Sequence, residues 1–225
     1  HRDLHTAYRR QRQMCIRDRS IAYGGWLPEK LLRASPFGVI NIHPSLLPEY
    51  RGASPITRAI LDGGDETGVS FMLTDNGWDT GPVIAVYRER ILPNDTSGSL
   101  EERLSVKAAE NIVSVIEGYS DGKLVPRNQT GEAVYAEKIT TDETWLDWNR
   151  PAEYLERKVR AFQPHPGART AYSGKTIKIS AAKVSEYSAN PGEIVLGEGT
   201  FFVGCGGCLL YTSDAADDMQ CVDLG

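Results

Sequence analysis

The sequence predicts an α/β domain followed by a smaller, barrel-like β domain, and three observations carry that reading. Short strand-like runs alternate with helical ones over residues 21–124, the pattern of a parallel or mixed sheet with helices on its faces. A polar stretch from Asp121-Gly122-Lys123 to Asn128-Gln129-Thr130-Gly131 has the composition of a linker. Beyond it, extended segments punctuated by turn pairs dominate, which suits a small β domain. With 225 residues, 40% of them apolar, the chain can bury an ordinary core.

Residues 1–20 are dense in Arg and show neither helical nor strand periodicity, so they read as a solvated extension. Gly38-Val39-Ile40-Asn41-Ile42-His43 reads as a strand stopped by Pro44, whose missing N–H cannot join a ladder. Ser54-Pro55 starts a helix through Ile56, Ala59 and Ile60, with proline at the first helical position, where its lack of a donor does no harm. Residues 69–74 read as a second strand, and after a loop over 75–81 the extended pattern resumes over 82–91. Ser99-Leu100-Glu101-Glu102 supplies a capping box for a long helix whose buried stripe is Leu100, Leu104, Ala108, Ile112 and Val115. Past the linker, Asn149 caps and Pro151 opens a short helix presenting Leu155, Val159 and Phe162. Ala171-Tyr172, the turn Ser173-Gly174 and Thr176-Ile177-Lys178-Ile179 predict a hairpin, and residues 192–203 add strands. After Cys208 the composition changes abruptly, which places 208–225 outside the fold.

No run approaches the ~18 consecutive apolar residues of a membrane span, and the basic N-terminus lacks the apolar stretch of a secretory signal. A cytoplasmic protein without a membrane partner is therefore expected. Lys and Arg total 25 against 30 Asp and Glu, so any nucleic-acid surface must be local. Cys15, Cys205, Cys208 and Cys221 lie towards the ends, a poor distribution for stapling a core and one that fits a reducing compartment. Cys205-Gly206-Gly207-Cys208 has no second pair to close a tetrahedral zinc site, so no metal is expected there.

Alternation along a strand puts Asn41 and His43 on one side, at the carboxyl end where open α/β sheets place their ligand crevices. An amide that can steady an oxyanion beside an imidazole that exchanges protons near neutral pH suits acyl-type transfer; the alternative is a satisfied structural histidine. Asp75-Asn76-Gly77-Trp78-Asp79-Thr80-Gly81 follows the next strand, with glycines that let backbone approach a ligand and an Asp79 that can orient the imidazole. The alternative there is an ordinary Asp-Gly turn; no carboxylates recur at metal-ligand spacing. Between Arg157 and Lys183 the basic residues Arg157, Lys158, Arg160, Arg169, Lys175, Lys178 and Lys183 have no acidic neighbour after Glu156. That predicts a locally positive surface able to track phosphates, or else a solvated face with no partner.

Asn41-Ile42-His43-Pro44-Ser45-Leu46-Leu47-Pro48 resembles the signature of the folate-dependent formyltransferases, and the loop from Asp75 to Gly81 resembles their Asp-x-Gly-x-Asp-Thr-Gly motif. The resemblance implies a partial Rossmann-like sheet, with Asn41, His43 and Asp79 as the catalytic trio and Ser45, Leu46, Leu47 and Pro48 lining the folate site. It implies direct attack of a substrate amine on the formyl carbon of 10-formyltetrahydrofolate, through a tetrahedral intermediate and with no metal. Arg51-Gly52-Ala53-Ser54-Pro55-Ile56, Tyr135-Ala136-Glu137-Lys138-Ile139, Asp147-Trp148 and the run from Arg160 to Ala168 resemble the branch that acts on methionyl-tRNA. That branch implies an OB-like second domain and transfer to the amino group of initiator methionyl-tRNA, with Arg51, Lys158, Arg160, Arg169, Lys175 and Lys178 on the tRNA. A monomer is expected.

The implied division is a non-matching extension at 1–20, a catalytic domain at 21–124, a linker at 125–144, a tRNA-binding β domain at 145–207 and a non-matching tail at 208–225. Ile21-Ala22-Tyr23-Gly24-Gly25-Trp26-Leu27-Pro28 matches a stretch well inside the family's first domain, so the catalytic domain is expected to lack its N-terminal part. A sheet without those strands exposes an edge and is expected to be marginally stable. Two rival readings follow: a formyltransferase acting on a small amine such as a sugar nucleotide, and a folate- or RNA-binding fragment without catalysis.

Overall fold

The computed structural model describes residues 18–21, 29–32, 36–185, 189–197, 200–206 and 209–212. They fall into two compact units. One holds the described residues up to 53 together with 68–89 and 104–135; the other holds 54–67, 90–103 and the described residues from 136 onward.

The first unit is built on β1 (Asp18–Ile21), β2 (Val39–His43), β4 (Glu66–Leu73) and β5 (Val83–Arg90), in the sheet order β1-β2-β4-β5. β1 runs parallel to β2, with Ser20 opposite Asn41, while β4 runs antiparallel to it, with Ile42 opposite Phe71 and His43 opposite Ser70. The sheet is thus mixed. β2 is buried on both faces, with Asn41 less so than its neighbours, whereas β5 alternates as a strand with one wet face does. The core is Val39, Ile40, Ile42, Val69, Phe71, Met72 and Ile84, joined by Leu104, Val115 and Ile116. Burying each of the larger ones contributes roughly 1.5–3 kcal/mol. Those last three lie on the long helix α3 (Ser97–Ser120), and Tyr119 near its end donates to the carbonyl of Phe37 at 3.1 Å. Short elements complete the chain here: α1 (Glu29–Leu32), β3 (Arg51–Gly52) and β6 (Tyr135–Ala136).

In the second unit α2 (Pro55–Leu61) lies against α4 (Ala152–Ala161), burying Ala59, Ile60 and Leu61 on one and Leu155 and Val159 on the other, with Phe162 just beyond. The proline at the start of α2 stands where the sequence places it. The hairpin of β7 (Ala168–Tyr172) and β8 (Lys175–Ile179) closes through Ser173 and Gly174, both at positive φ (47° and 76°), the turn whose twist suits a two-residue connection. β9 (Lys183–Ser185), β10 (Ile194–Gly197), β11 (Thr200–Gly204) and β12 (Leu209–Thr212) form a four-stranded sheet, all of its pairings antiparallel. Among the described residues this sheet and the hairpin are separate sheets, with no pairing between them to draw the expected barrel-like form.

Four expectations change. Asp18, Arg19 and Ser20, read as extension, belong to β1; the run Asp-Arg-Ser-Ile shows no local pattern, and only its backbone pairing to β2 makes it a strand. Likewise 209–212, read as tail, is β12, paired on both sides. The long helix begins before Ser99: the Thr96 and Ser99 side chains each accept the other's backbone N–H, at 3.1 and 3.0 Å, so the reciprocal cap lies one box upstream. Asn149 does not cap α4; its amide donates to Asp147 Oδ1 at 2.9 Å in a local turn, and Pro151 occupies the cap position. Residues 1–17 and 213–225, with Cys15, Cys208 and Cys221, lie outside the described residues, while Cys205 is buried. No helix among the described residues is long and apolar enough to cross a membrane.

Candidate active site

β2 ends at His43, and with the chain turned by Pro44 its last alternating pair, Asn41 and His43, faces one side. From the antiparallel neighbour β4, the loop over 75–81 brings Asp79 to the same place. Asn41 Nδ2 donates to Asp79 Oδ1 at 3.3 Å, and His43 Nδ1 lies 3.7 Å from Asp79 Oδ2. The three residues that the sequence singled out are therefore together. His43 is only 4% exposed.

The tautomer of the imidazole follows from its other partner. His43 Nε2 lies 2.8 Å from the carbonyl oxygen of Tyr50, which can only accept, so Nε2 carries a hydrogen. Nδ1 is then the nitrogen beside Asp79. The backbone N–H of Gly52 donates to the same Asp79 Oδ2 at 2.9 Å and helps to fix that carboxylate. Tyr50 and Asp79, the two residues that hold His43, both adopt left-handed backbone, with φ of 55° and 52°. Such conformations cost of order 1–3 kcal/mol for ordinary residues and persist where surrounding structure enforces them.

That enforcement is visible in the loop. Asp75 Oδ1 accepts the Gly77 N–H at 2.9 Å and the Thr80 hydroxyl at 2.7 Å. A Cβ on Gly77 would stand 1.9 Å from Thr80 Oγ1, and one on Gly81 would stand 1.8 Å from the carbonyl oxygen of Leu73. Gly77 thus lets the loop fold onto itself, and Gly81 lets it pass close to the end of β4. Gln129 completes the clamp: its Nε2 donates to the carbonyls of Asp79 and Gly81, both at 2.8 Å, and its Oε1 accepts Arg51 Nε at 3.0 Å and Nη2 at 2.7 Å. Trp78 is 56% exposed on the same loop.

The segment after Pro44 is braced from below. Ser70, fully buried in β4, donates to the Ser45 carbonyl at 2.6 Å and accepts the Leu47 N–H at 3.1 Å. Ser45 is itself fully buried and its hydroxyl donates to the Glu49 carbonyl at 2.5 Å, so it shapes the loop from inside. Leu46, Leu47 and Pro48 are half-buried and form its apolar rim. Neither Gln129 nor Ser70 was singled out by the sequence. Ser70 had a signal, a lone hydroxyl between Val69 and Phe71; Gln129 had none, standing in a stretch of linker composition.

The basic residues separate. Lys158 is 8% exposed, and its ammonium donates to the Trp145 carbonyl at 2.7 Å. Burial holds its pKa below the ordinary lysine value, against the pull of Glu143 and Asp147. It stands three residues after Leu155 and four before Phe162, on the buried face of α4, so it is not a surface cation. Arg160 is bound to Glu156 at 2.5 Å and to the Asp95 carbonyl at 2.9 Å, and Arg51 is turned to Gln129. Arg169 faces Lys178 across the hairpin on one side, whereas Lys175 pairs with Tyr172 on the other; both lysines are exposed.

Residues 20–116 match a formyl transferase family model, and residues 138–216 match that of the formyl transferase C-terminal domain. The methionyl-tRNA formyltransferase of Methylibium petroleiphilum is 44% identical over 187 residues, which cover 82% of this chain and 59% of that protein. That of Thermus thermophilus is 43% identical over 173 residues, covering 77% and 56%. The chain thus spans less than two thirds of the length of these relatives. Among solved structures, HypX from Aquifex aeolicus in complex with tetrahydrofolic acid superposes with a TM-score of 0.71 at 21% identity, covering 86% of this chain and 34% of that one. An N-formyltransferase from Helicobacter canadensis, in complex with folinic acid and dTDP-3-aminofucose, gives 0.63 at 20% identity, covering 77% and 65%. At these identities the likeness is one of fold. Both domain matches, together with the identity to the curated relatives over four fifths of the chain, show that it belongs to the formyl transferase family.

Proposed function

We propose that this chain carries the catalytic trio of a formyl transfer from 10-formyltetrahydrofolate to the amino group of initiator methionyl-tRNA. The observation that carries the reading is the convergence of Asn41, His43 and Asp79 from a strand end and a separate loop. The names of the relatives supply the substrate. Residues 21–124 bear the chemistry, 125–144 the linker, and 145–207 the RNA-facing part, in which Arg169, Lys175 and Lys178 are the cations of the hairpin. The protein works as a cytoplasmic monomer.

Each residue has a role that its partners define. One N–H of the Asn41 amide goes to Asp79, and the other is available to an oxyanion at the formyl carbon. A proton on His43 Nδ1, backed by Asp79, reaches the nitrogen that leaves, because Nε2 is occupied by Tyr50. The amine nitrogen bonds to the formyl carbon, the bond from that carbon to the folate nitrogen breaks, and the proton given up by the amine ends on the departing nitrogen. Leu46, Leu47 and Pro48 suit the flat ring system of the folate, being apolar, half-buried and close to His43 in sequence. The test is a formyl-transfer assay with charged initiator tRNA on this chain and on His43→Ala. Formyl-methionyl-tRNA formed by the former alone supports the reading; equal rates remove His43 from the chemistry.

A further inference from the structure

We infer that Gln129 is a positioning residue for this reaction and that Arg51 acts through it, an inference that rests on the formyl-transfer reading. The Gln129 amide has two N–H donors and two lone pairs, and all four are used. Its orientation is dictated by chemistry. The Asp79 and Gly81 carbonyls can only accept and the Arg51 guanidinium can only donate, so exchanging the amide's oxygen and nitrogen would set like against like on both sides.

The geometry explains why this amide matters to a residue it does not touch by side chain. Asp79 sits at φ 52°, and its carbonyl is held by Gln129 while its carboxylate meets Asn41, His43 and the Gly52 N–H. Fixing the backbone on both sides of Thr80 keeps Asp79 in that conformation and aims the carboxylate. Residues 50–52 supply three ties in succession: the Tyr50 carbonyl to His43, the Arg51 guanidinium to Gln129, and the Gly52 N–H to Asp79. Arg51 thereby couples the segment behind the imidazole to the loop bearing the carboxylate. It does so with a two-nitrogen fork that a lysine cannot reproduce.

Two measurements test this. In the formyl-transfer assay Gln129→Ala is expected to lower kcat about 10- to 100-fold, the scale of a misplacement near an ångström, with KM for both substrates nearly unchanged. The same substitution made on Asp79→Ala should change kcat little further, because there is no carboxylate left to aim; full multiplication of the two effects overturns the inference. Gln129→Glu should fail to restore the rate, since a carboxylate offers no donor to the two carbonyls. Arg51→Lys should lower kcat, and a rise confined to the KM for tRNA would return Arg51 to a binding role. Amide hydrogen exchange gives a readout independent of turnover: Gln129→Ala should speed exchange over residues 77–81 and leave β2 unchanged. Unaltered exchange in that loop overturns the inference even if the chain does not catalyse, whereas absence of formyl product from the unsubstituted chain counts only against the formyl-transfer reading.

Discussion

At the scale of single residues, the proposed reaction turns on which atom of each side chain is left for it. The Tyr50 carbonyl takes one imidazole nitrogen and leaves Nδ1 beside Asp79; in the proposed reaction that nitrogen exchanges the proton, and the second Asn41 donor serves an oxyanion. Asn41→Ala is accordingly expected to reduce kcat by on the order of 10²–10³, measured under saturating substrates with folding checked by circular dichroism. His43→Ala removes proton transfer and should cost on the order of 10²–10⁴. This much was readable in the chain, since the alternation of β2 and a stop at Pro44 set two side chains side by side. The residues that hold them were not readable. Tyr50 contributes a backbone oxygen, which every residue has, and Gln129 is an ordinary polar residue 50 positions from Asp79, so only the folded path of the chain brings them into hydrogen-bond distance.

At the scale of elements, α2 is tied to the 3-10 turn Asp142–Thr144 by a two-pronged ion pair, Arg58 to Glu143 at 2.6 and 3.1 Å. The Arg58 guanidinium, outweighing partial burial and helped by Thr140, holds the Glu143 carboxyl down to about 2. A carboxylate whose folded pKa is depressed contributes stability above its unfolded pKa and loses it as pH falls through the folded value. Wild type should therefore exceed Glu143→Gln in urea midpoint at neutral pH, with the gap closing between about pH 4.5 and 2. Because Glu143 is 34% exposed, the gap should be on the order of 1 kcal/mol after solvent screening. Asp95 tells a similar story: burial would raise its pKa, but bonds from Arg103, the Leu92 N–H and Ser99 lower it on balance. The packing of α4 is a larger contribution. Phe162 is fully buried, and Phe162→Ala should cost about 3–5 kcal/mol, seen as a lower melting temperature. Helical spacing disclosed that face, and the same spacing placed Lys158 on it, although counting charges along the chain assigned that lysine to the surface.

At the scale of the molecule, the net charge of −5 means that any RNA contact must come from a local surface. Lys158, Arg160 and Arg51 are engaged elsewhere, whereas on the hairpin Lys175 and Lys178 are exposed and Arg169 is half-buried, with Lys178 Nζ donating to the Pro164 carbonyl at 3.3 Å. The double substitution Arg169→Ala, Lys178→Ala should weaken tRNA binding and lower the slope of log affinity against log salt by about 1 for each phosphate that is no longer neutralised. An unchanged slope would exclude the hairpin from the phosphates.

The sequence by itself determined the α/β character of the first part, the strand that ends at Pro44, the helix that begins at Pro55, the hairpin at Ser173-Gly174 and the trio Asn41, His43 and Asp79. All of these rest on patterns a few residues long: period two, period 3.6, a proline without a donor, a glycine at positive φ. Tertiary structure alone decided that Asp18–Ile21 and Leu209–Thr212 are strands, and that Gln129 and Ser70 brace the site. Each of these depends on a hydrogen bond or a burial between residues far apart in the chain. Such an interaction leaves no local periodicity, because either partner could stand in many sequences without it.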